Sequence, residues 1–243
     1  MTPWFKSNPT YFRHERDAIT ERQPSLVLEI LSAGTQLTQT HKLTHDRAVC
    51  RGMYVLNVPE SDRHYDYSII VATRSTHPRD IPLLFCNDPK LPIDIPDRHI
   101  INAGQACLGV NTEIKAKWQS NRGIIGFFED FVEPFLSWQL FYEAHGHAGP
   151  FGQRSHGAKG ILEFYAEFLG LPYELHIPMF MEMLGRLNKP KGHEPCPCGS
   201  GRKLRYCHAS LVWDTWGKLD RKDIHEDLAS LRKSTCKGFL PAI

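Results

Sequence analysis

The chain reads as a mixed α+β protein with a small metal-binding module near its C-terminus, and three observations lead there. Three runs of strand-forming residues follow one another closely between Ala48 and Cys86, joined by polar turns. Apolar groups at helical spacing take over after residue 122. Four cysteine and histidine side chains then arrive as two close pairs between residues 193 and 208. The expected organisation is a larger domain over residues 1–187, with an N-terminal helix, an antiparallel β-meander and C-terminal helices, then a zinc-type knuckle at 193–210 and a helical tail at 211–243.

Composition sets the outer limits. The 243 residues, 41% of them apolar, suffice for one or two domains with a full core. Lys and Arg (29) nearly balance Asp and Glu (27), so the net charge of +2 gives no nucleic-acid footprint, although a modest basic cluster gathers at Lys189, Lys191, Arg202, Lys203 and Arg205. The N-terminus has no apolar core of signal-peptide type. The most hydrophobic later stretch is interrupted by Glu129, Asp130 and Glu133, so no membrane span is expected and the cytoplasm is the expected location. Seven cysteines, at 50, 86, 107, 196, 198, 207 and 236, read as metal or catalytic thiols rather than as a disulfide framework.

Taken in order, residues up to about 22 are polar and carry no signal. Residues 24–38 predict the opening helix: Leu26, Leu28, Ile30 and Leu31 follow Pro24, with Ser25 as the cap. Strands are expected at 48–58, 65–73 and 80–86, close enough together to form an antiparallel meander with Cys50 and Cys86 in its core. Residues 90–118 turn at Pro92 and Pro96, pass His99, Asn102 and Gly104, and reach Cys107. In its Ala-Cys-Leu setting that cysteine reads either as a small buried hydrophobe or as a nucleophile mounted on an irregular segment. Residues 122–144 predict two helical pieces or one kinked helix, because Pro134 interrupts the pattern. The Gly-rich segment 145–160 carries three histidines. These either face solvent or, at His156, supply a base or charge partner for Cys107. A helix over 161–170 should end at Gly170, and a last one should carry Ile224, Leu228 and Leu231.

The strongest local signal is Cys196-x-Cys198, eight residues, then Cys207-His208. Four soft or borderline ligands in two pairs suit a closed tetrahedral structural zinc site, and Gly199, Ser200 and Gly201 allow the tight turn that aims backbone amides at the sulfurs. The stretch from Pro195 to His208 resembles the SEC-C module, the zinc knuckle at the C-terminus of the secretion ATPase SecA. By that resemblance the knuckle binds protein, and Arg202, Lys203 and Arg205 face an acidic partner.

Residues 87–92 followed by His99, Asn102, Gly104, Cys107, Leu108 and Trp118 resemble a ubiquitin-conjugating enzyme, with the likeness spanning roughly residues 20–185. It is similar in particular to divergent bacterial members encoded beside cGAS-like anti-phage nucleotidyltransferases (CBASS operons), which share a segment like Ser155-His156-Gly157. The family's His-Pro-Asn is absent here, and His99 stands where its asparagine would be. The resemblance implies a ubiquitin-conjugating-enzyme-like fold. It also implies a thioester on Cys107 with the C-terminus of a nucleotidyltransferase partner, an oxyanion steadied by Asn102 or His99, and transfer to an amine. No ATP-binding Gly-rich loop occurs, so adenylation is expected from another protein or is unnecessary. Two other classes stay open: a non-catalytic adaptor built on the same fold and knuckle, and a hydrolase using Cys107 with His156.

Overall fold

The structure, a computed structural model, describes residues 2–58, 64–91, 95, 98–101, 104–146, 154–172 and 176–236. The chain divides into two compact units, Met1–Leu108 with Trp118–Gly152, and Gly109–Lys117 with Gln153–Ile243. Among the described residues no helix is long and apolar enough to cross a membrane.

The first unit is built on a four-stranded antiparallel sheet in chain order: β1 (Leu26–Leu31), β2 (Arg47–Asn57), β3 (His64–Ala72) and β4 (Leu83–Cys86). The β2–β3 and β3–β4 connections are too short for a parallel crossover and leave antiparallel pairing, while β1 reaches β2 through the longer segment 32–46. The helix expected at 24–38 is instead β1. Its apolar residues alternate in exposure, with Leu26 and Leu28 buried and Val27 between them 58% exposed, which is the period of a strand. Leu28 lies opposite Cys50 and Ile30 opposite Ala48. Both Cys50 and Cys86 are buried in the sheet, as expected.

The helical entry comes earlier, as α1 (Trp4–Ser7) and α2 (Pro9–Arg22). Asn8 caps α2 by accepting from the Tyr11 amide at 3.1 Å, and Pro9 occupies its first turn, where a missing N–H is not felt. Only Glu15 and Ile19 of α2 are buried, so its inward face is too narrow to show as a periodic pattern. Glu15 is the notable occupant. It accepts the Ile124 amide at 2.9 Å, and a Cβ on Gly123 (φ 58°) would lie 2.0 Å from its Oε1, so glycine there lets the carboxylate reach the helix behind it. Burial lifts the Glu15 carboxyl. His77, whose Nε2 at 3.8 Å is a charge partner rather than a hydrogen-bond donor, together with the Tyr11 hydroxyl and the Ile124 amide more than offsets that and holds it below the usual carboxylate range.

Behind the sheet run α4 (Gly123–Phe127), a π-helical turn (Phe128–Val132) and α5 (Glu133–His145), one after another without a break. Pro134 cannot donate into the helical ladder, and the turn widens just before it. Phe127, Phe128, Val132, Leu136 and Trp138 are buried along this rod, and Tyr54 of β2 donates to Glu133 at 2.7 Å.

The second unit gathers α3 (Asn111–Lys117), α6 (Gly157–Leu169), α7 (Ile177–Leu184), α8 (Ala209–Thr215) and α9 (Arg221–Cys236). Gly170, at φ 62°, closes α6 in the left-handed cap its sequence predicts. Ile224, Leu228 and Leu231 bring α9 into one core with Tyr165, Phe180 and Met181. That core also holds Cys196 and Leu204, so the 193–210 segment packs with these helices. Buried Asp227 accepts from the Tyr165 hydroxyl at 3.1 Å and from Thr112, which ties α3 and α6 to α9.

The Glu15 arrangement gives a signed pH expectation. A depressed carboxyl pKa contributes stability that is fully present above the ordinary carboxylate range and is lost as pH falls through the folded value. Glu15→Gln should cost about 1–3 kcal/mol at pH 7 in urea unfolding, with the gap to the parent shrinking below about pH 4. A gap that stays constant from pH 7 to pH 3 would contradict the assignment.

Candidate functional site

The Cys107 segment is held by backbone before any side chain is considered. After β4 the chain returns alongside it: Cys86 N donates to Gly104 O at 2.7 Å and Ala106 N to Leu84 O at 2.9 Å, with Gln105 bridged to Phe85. The return is closed by Gly104 N to Ile101 O at 2.8 Å and Ile101 N to Gln105 O at 2.9 Å. Gly104 sits at φ 76°, and a Cβ there would stand 2.9 Å from the Cys86 carbonyl oxygen. The glycine three residues before Cys107 is thus required by close approach to the sheet edge.

One step further the Cys107 amide donates to His99 O at 2.7 Å, and Ile100 is bridged to Ala106. His99 adopts φ 53°, a left-handed conformation uncommon for a residue with a Cβ, and its ring meets Trp138 edge-on at 5.6 Å. Arg98 holds this strained residue in place. Its buried guanidinium donates to Gln139 Oε1 at 2.8 Å and Glu143 Oε1 at 3.0 Å, while Gln139 Nε2 donates back to Arg98 O at 2.7 Å. The Arg98 guanidinium also lies over the Tyr142 ring at 5.3 Å. The segment is therefore clamped between β4 and α5. Sequence reasoning missed this clamp; its one local trace is the i, i+4 spacing of Gln139 and Glu143 on α5.

The result is a partly exposed Cys107 whose Sγ and a His99 ring nitrogen lie within 4.8 Å of each other. The other two sheet cysteines differ: burial pushes the Cys50 and Cys86 thiols each up to about 12. Asn102 lies outside the described residues. His156 stands at the N-cap of α6 in the second unit and is exposed. The bend it occupies is built by Ser155, whose amide and hydroxyl both donate to Glu163 at 2.7 Å, and by Gly157 at φ 63°.

The second cluster consists of Cys196, Cys198, Cys207 and His208, whose ligand atoms all lie within 4.8 Å of one another. Cys196 Sγ and Cys207 Sγ are each 3.2 Å from His208 Nδ1, and Cys198 Sγ is 3.5 Å from Cys207 Sγ. A tetrahedral zinc with bonds of about 2.3 Å to sulfur and about 2.0 Å to nitrogen sets ligand separations of roughly 3.5–3.8 Å, so these four groups fit the ion with small adjustment. Gly199 (φ 74°) and Gly201 (φ 71°) make the turn between the pairs. Burial pushes the Cys196 thiol up to about 11 despite the Cys198 amide that donates to it. At Cys198 burial is outweighed by the Ser200 hydroxyl and amide and by the neighbouring thiols, which bring it down to about 6. The Cys198 thiolate is thus ready for a cation before Cys196 deprotonates. Around the ligands, Ser200 Oγ lies 3.1 Å from Cys198 Sγ, Arg202 Nη2 donates to Cys207 Sγ at 3.4 Å, and the Phe180 ring meets His208 edge-on at 5.5 Å.

Metal analysis of freshly purified protein should find one zinc per chain. Cys198→Ser should lose it and, because Cys196 and Leu204 sit in the core of the second unit, should lower the unfolding midpoint of that unit. Protein without zinc, or a Cys198→Ser chain that retains it, would overturn the ligand set.

Comparison with known proteins agrees with this cluster. Residues 194–210 match the model of the SEC-C motif, a zinc-binding motif. No curated protein and no solved structure matches the chain.

Proposed function

We propose that the chain is a cytoplasmic, cysteine-dependent acyl transferase of the ubiquitin-conjugating type, with Cys107 as nucleophile and the zinc knuckle as a protein-binding accessory. One observation carries the reading: a partly exposed thiol beside an imidazole, on a backbone segment fixed to a sheet edge. An N-terminal helix followed by a four-stranded antiparallel meander supports the fold expected from the resemblance.

In the proposed reaction the Cys107 thiolate adds to the activated C-terminal carboxyl of a partner, in this reading a cGAS-like nucleotidyltransferase, delivered as an adenylate or thioester by a separate protein. AMP or the delivering thiolate leaves, and a thioester remains on Cys107. A lysine amine then attacks that carbonyl, the Cys107 thiolate departs, and an isopeptide bond is left. His99, or Asn102, steadies the oxyanion of each addition, and His156 serves as base toward the amine or as charge partner of the thiol. Rigid placement of the thiol is the main contribution such chemistry needs from a scaffold.

A second reading, a non-catalytic adaptor, is favoured by the outer face of the knuckle. Tyr206 is 65% exposed with the Arg205 guanidinium over its ring at 4.6 Å, an arrangement suited to an acidic protein surface.

Incubation with the activated partner separates these readings. A reductant-sensitive adduct supports transfer, a released fragment supports hydrolysis by Cys107 and His156, and a stable complex without an adduct supports the adaptor. Cys107→Ser should give a slower-forming adduct that survives reductant, and Cys107→Ala none, whereas Cys50→Ala and Cys86→Ala should leave it in place. His156→Ala should slow discharge at least about tenfold, at the lower edge of the usual effect of removing a general base. A thiol-sensitive adduct persisting in Cys107→Ala would show that the nucleophile lies elsewhere.

A further inference from the structure

The end of the sheet where β2 begins and β3 ends carries two arginines that form no ion pair among the described residues. Val49 of β2 lies opposite Ala72 of β3, and Thr73 N donates to Ala48 O at 3.1 Å, so two residues beyond that pair Arg47 faces Arg74 across the strands. Alternation puts both side chains on the face of Val49 and Ala72, where the small cluster of Leu37, Leu43, Ile70 and Phe85 packs. Like charges directly opposite on one face repel.

The nearby acids are already engaged: Asp46 accepts from Lys6 at 3.0 Å and from the Ala33 amide at 3.1 Å, and Glu29 pairs with Arg51 at 2.6 Å. Arg47 Nη1 is buried and has no hydrogen-bond partner among the described residues. Burial, and after it the charge of Arg74, pulls the Arg47 pKa below its ordinary value. Arg74 is exposed. A buried, unpaired donor beside a second guanidinium is an arrangement that an anion resolves and that none of the described side chains does.

We propose that Arg47 and Arg74 form a binding site for a phosphate dianion, either free or carried by a small molecule. Two guanidinium forks offer a charge of +2 and several in-plane donors, which a phosphate with three terminal oxygens matches better than a single carboxylate. The site belongs to the first unit and does not depend on the reading of Cys107.

Thermal unfolding of the full chain in phosphate, against chloride at matched ionic strength, tests the proposal. Phosphate should raise the midpoint by about 3 °C at a tenfold excess over its dissociation constant, and further in proportion to the logarithm of its concentration above that. AMP as a second probe identifies the source: a shift at lower concentration than inorganic phosphate requires means a carried phosphate, and no advantage means the free ion. Arg74→Gln, at an exposed position, should fold, should lose the phosphate shift and, without phosphate, should melt no lower than the parent because the repulsion is gone. Arg47→Gln should lose the shift too, and if it folds poorly the Arg74 variant decides alone. A phosphate effect no larger than that of chloride, or one that persists in Arg74→Gln, would overturn the site.

Discussion

The 2.7 Å hydrogen bond from the Cys86 amide to the Gly104 carbonyl is the contact on which the candidate site depends. It makes residues 104–106 a continuation of the sheet, and it brings a backbone so near Cys86 that only glycine fits at 104. Register then follows: with Ala106 bonded to Leu84, Cys107 is the first residue to leave the sheet, and its amide is taken by His99. A thiol placed this way inherits the rigidity of the strands. Arg98 adds the other half by fixing the preceding residues to α5 through Gln139 and Glu143. The left-handed His99 is stable only because both sides over-determine it.

The second unit answers a different problem. A Cys3His cluster loses protons as it takes up a dication, leaving a net negative site that needs donors around the sulfurs. The backbone amides of Cys198 and Ser200, the Ser200 hydroxyl and the Arg202 guanidinium supply them. Because Cys196 is buried against the helices of the same unit, metal binding and packing are parts of one equilibrium there.

The sequence disclosed those features whose chemistry is local. The Cys3His cluster stands out because its spacing is the chemistry, and β2, β3 and Gly170 because β-branched runs and a left-handed cap have strong composition. The run Leu26 to Leu31 suits a helix or a strand equally, and only the exposure of Val27 against buried Leu26 and Leu28 decides it. Helix α2 was illegible because its buried face is a single Ile and a carboxylate that finds its partner at Ile124, more than a hundred residues away. The Arg98 clamp and the Arg47–Arg74 juxtaposition have the same cause: each exists only once strand register or helix placement is known, and neither leaves a motif.

The claim at the centre is that Cys107 is the accessible, reactive thiol of the first unit while Cys50 and Cys86 are inert packing groups. Isotope-coded alkylation of the native, zinc-loaded chain, read cysteine by cysteine in a mass spectrometer, tests it most directly. Cys107 should react within the native state, and Cys50 and Cys86 only as the chain unfolds, since burial holds their thiols near 12. Equal rates for the three, or a Cys107 that stays protected until unfolding, would contradict the account.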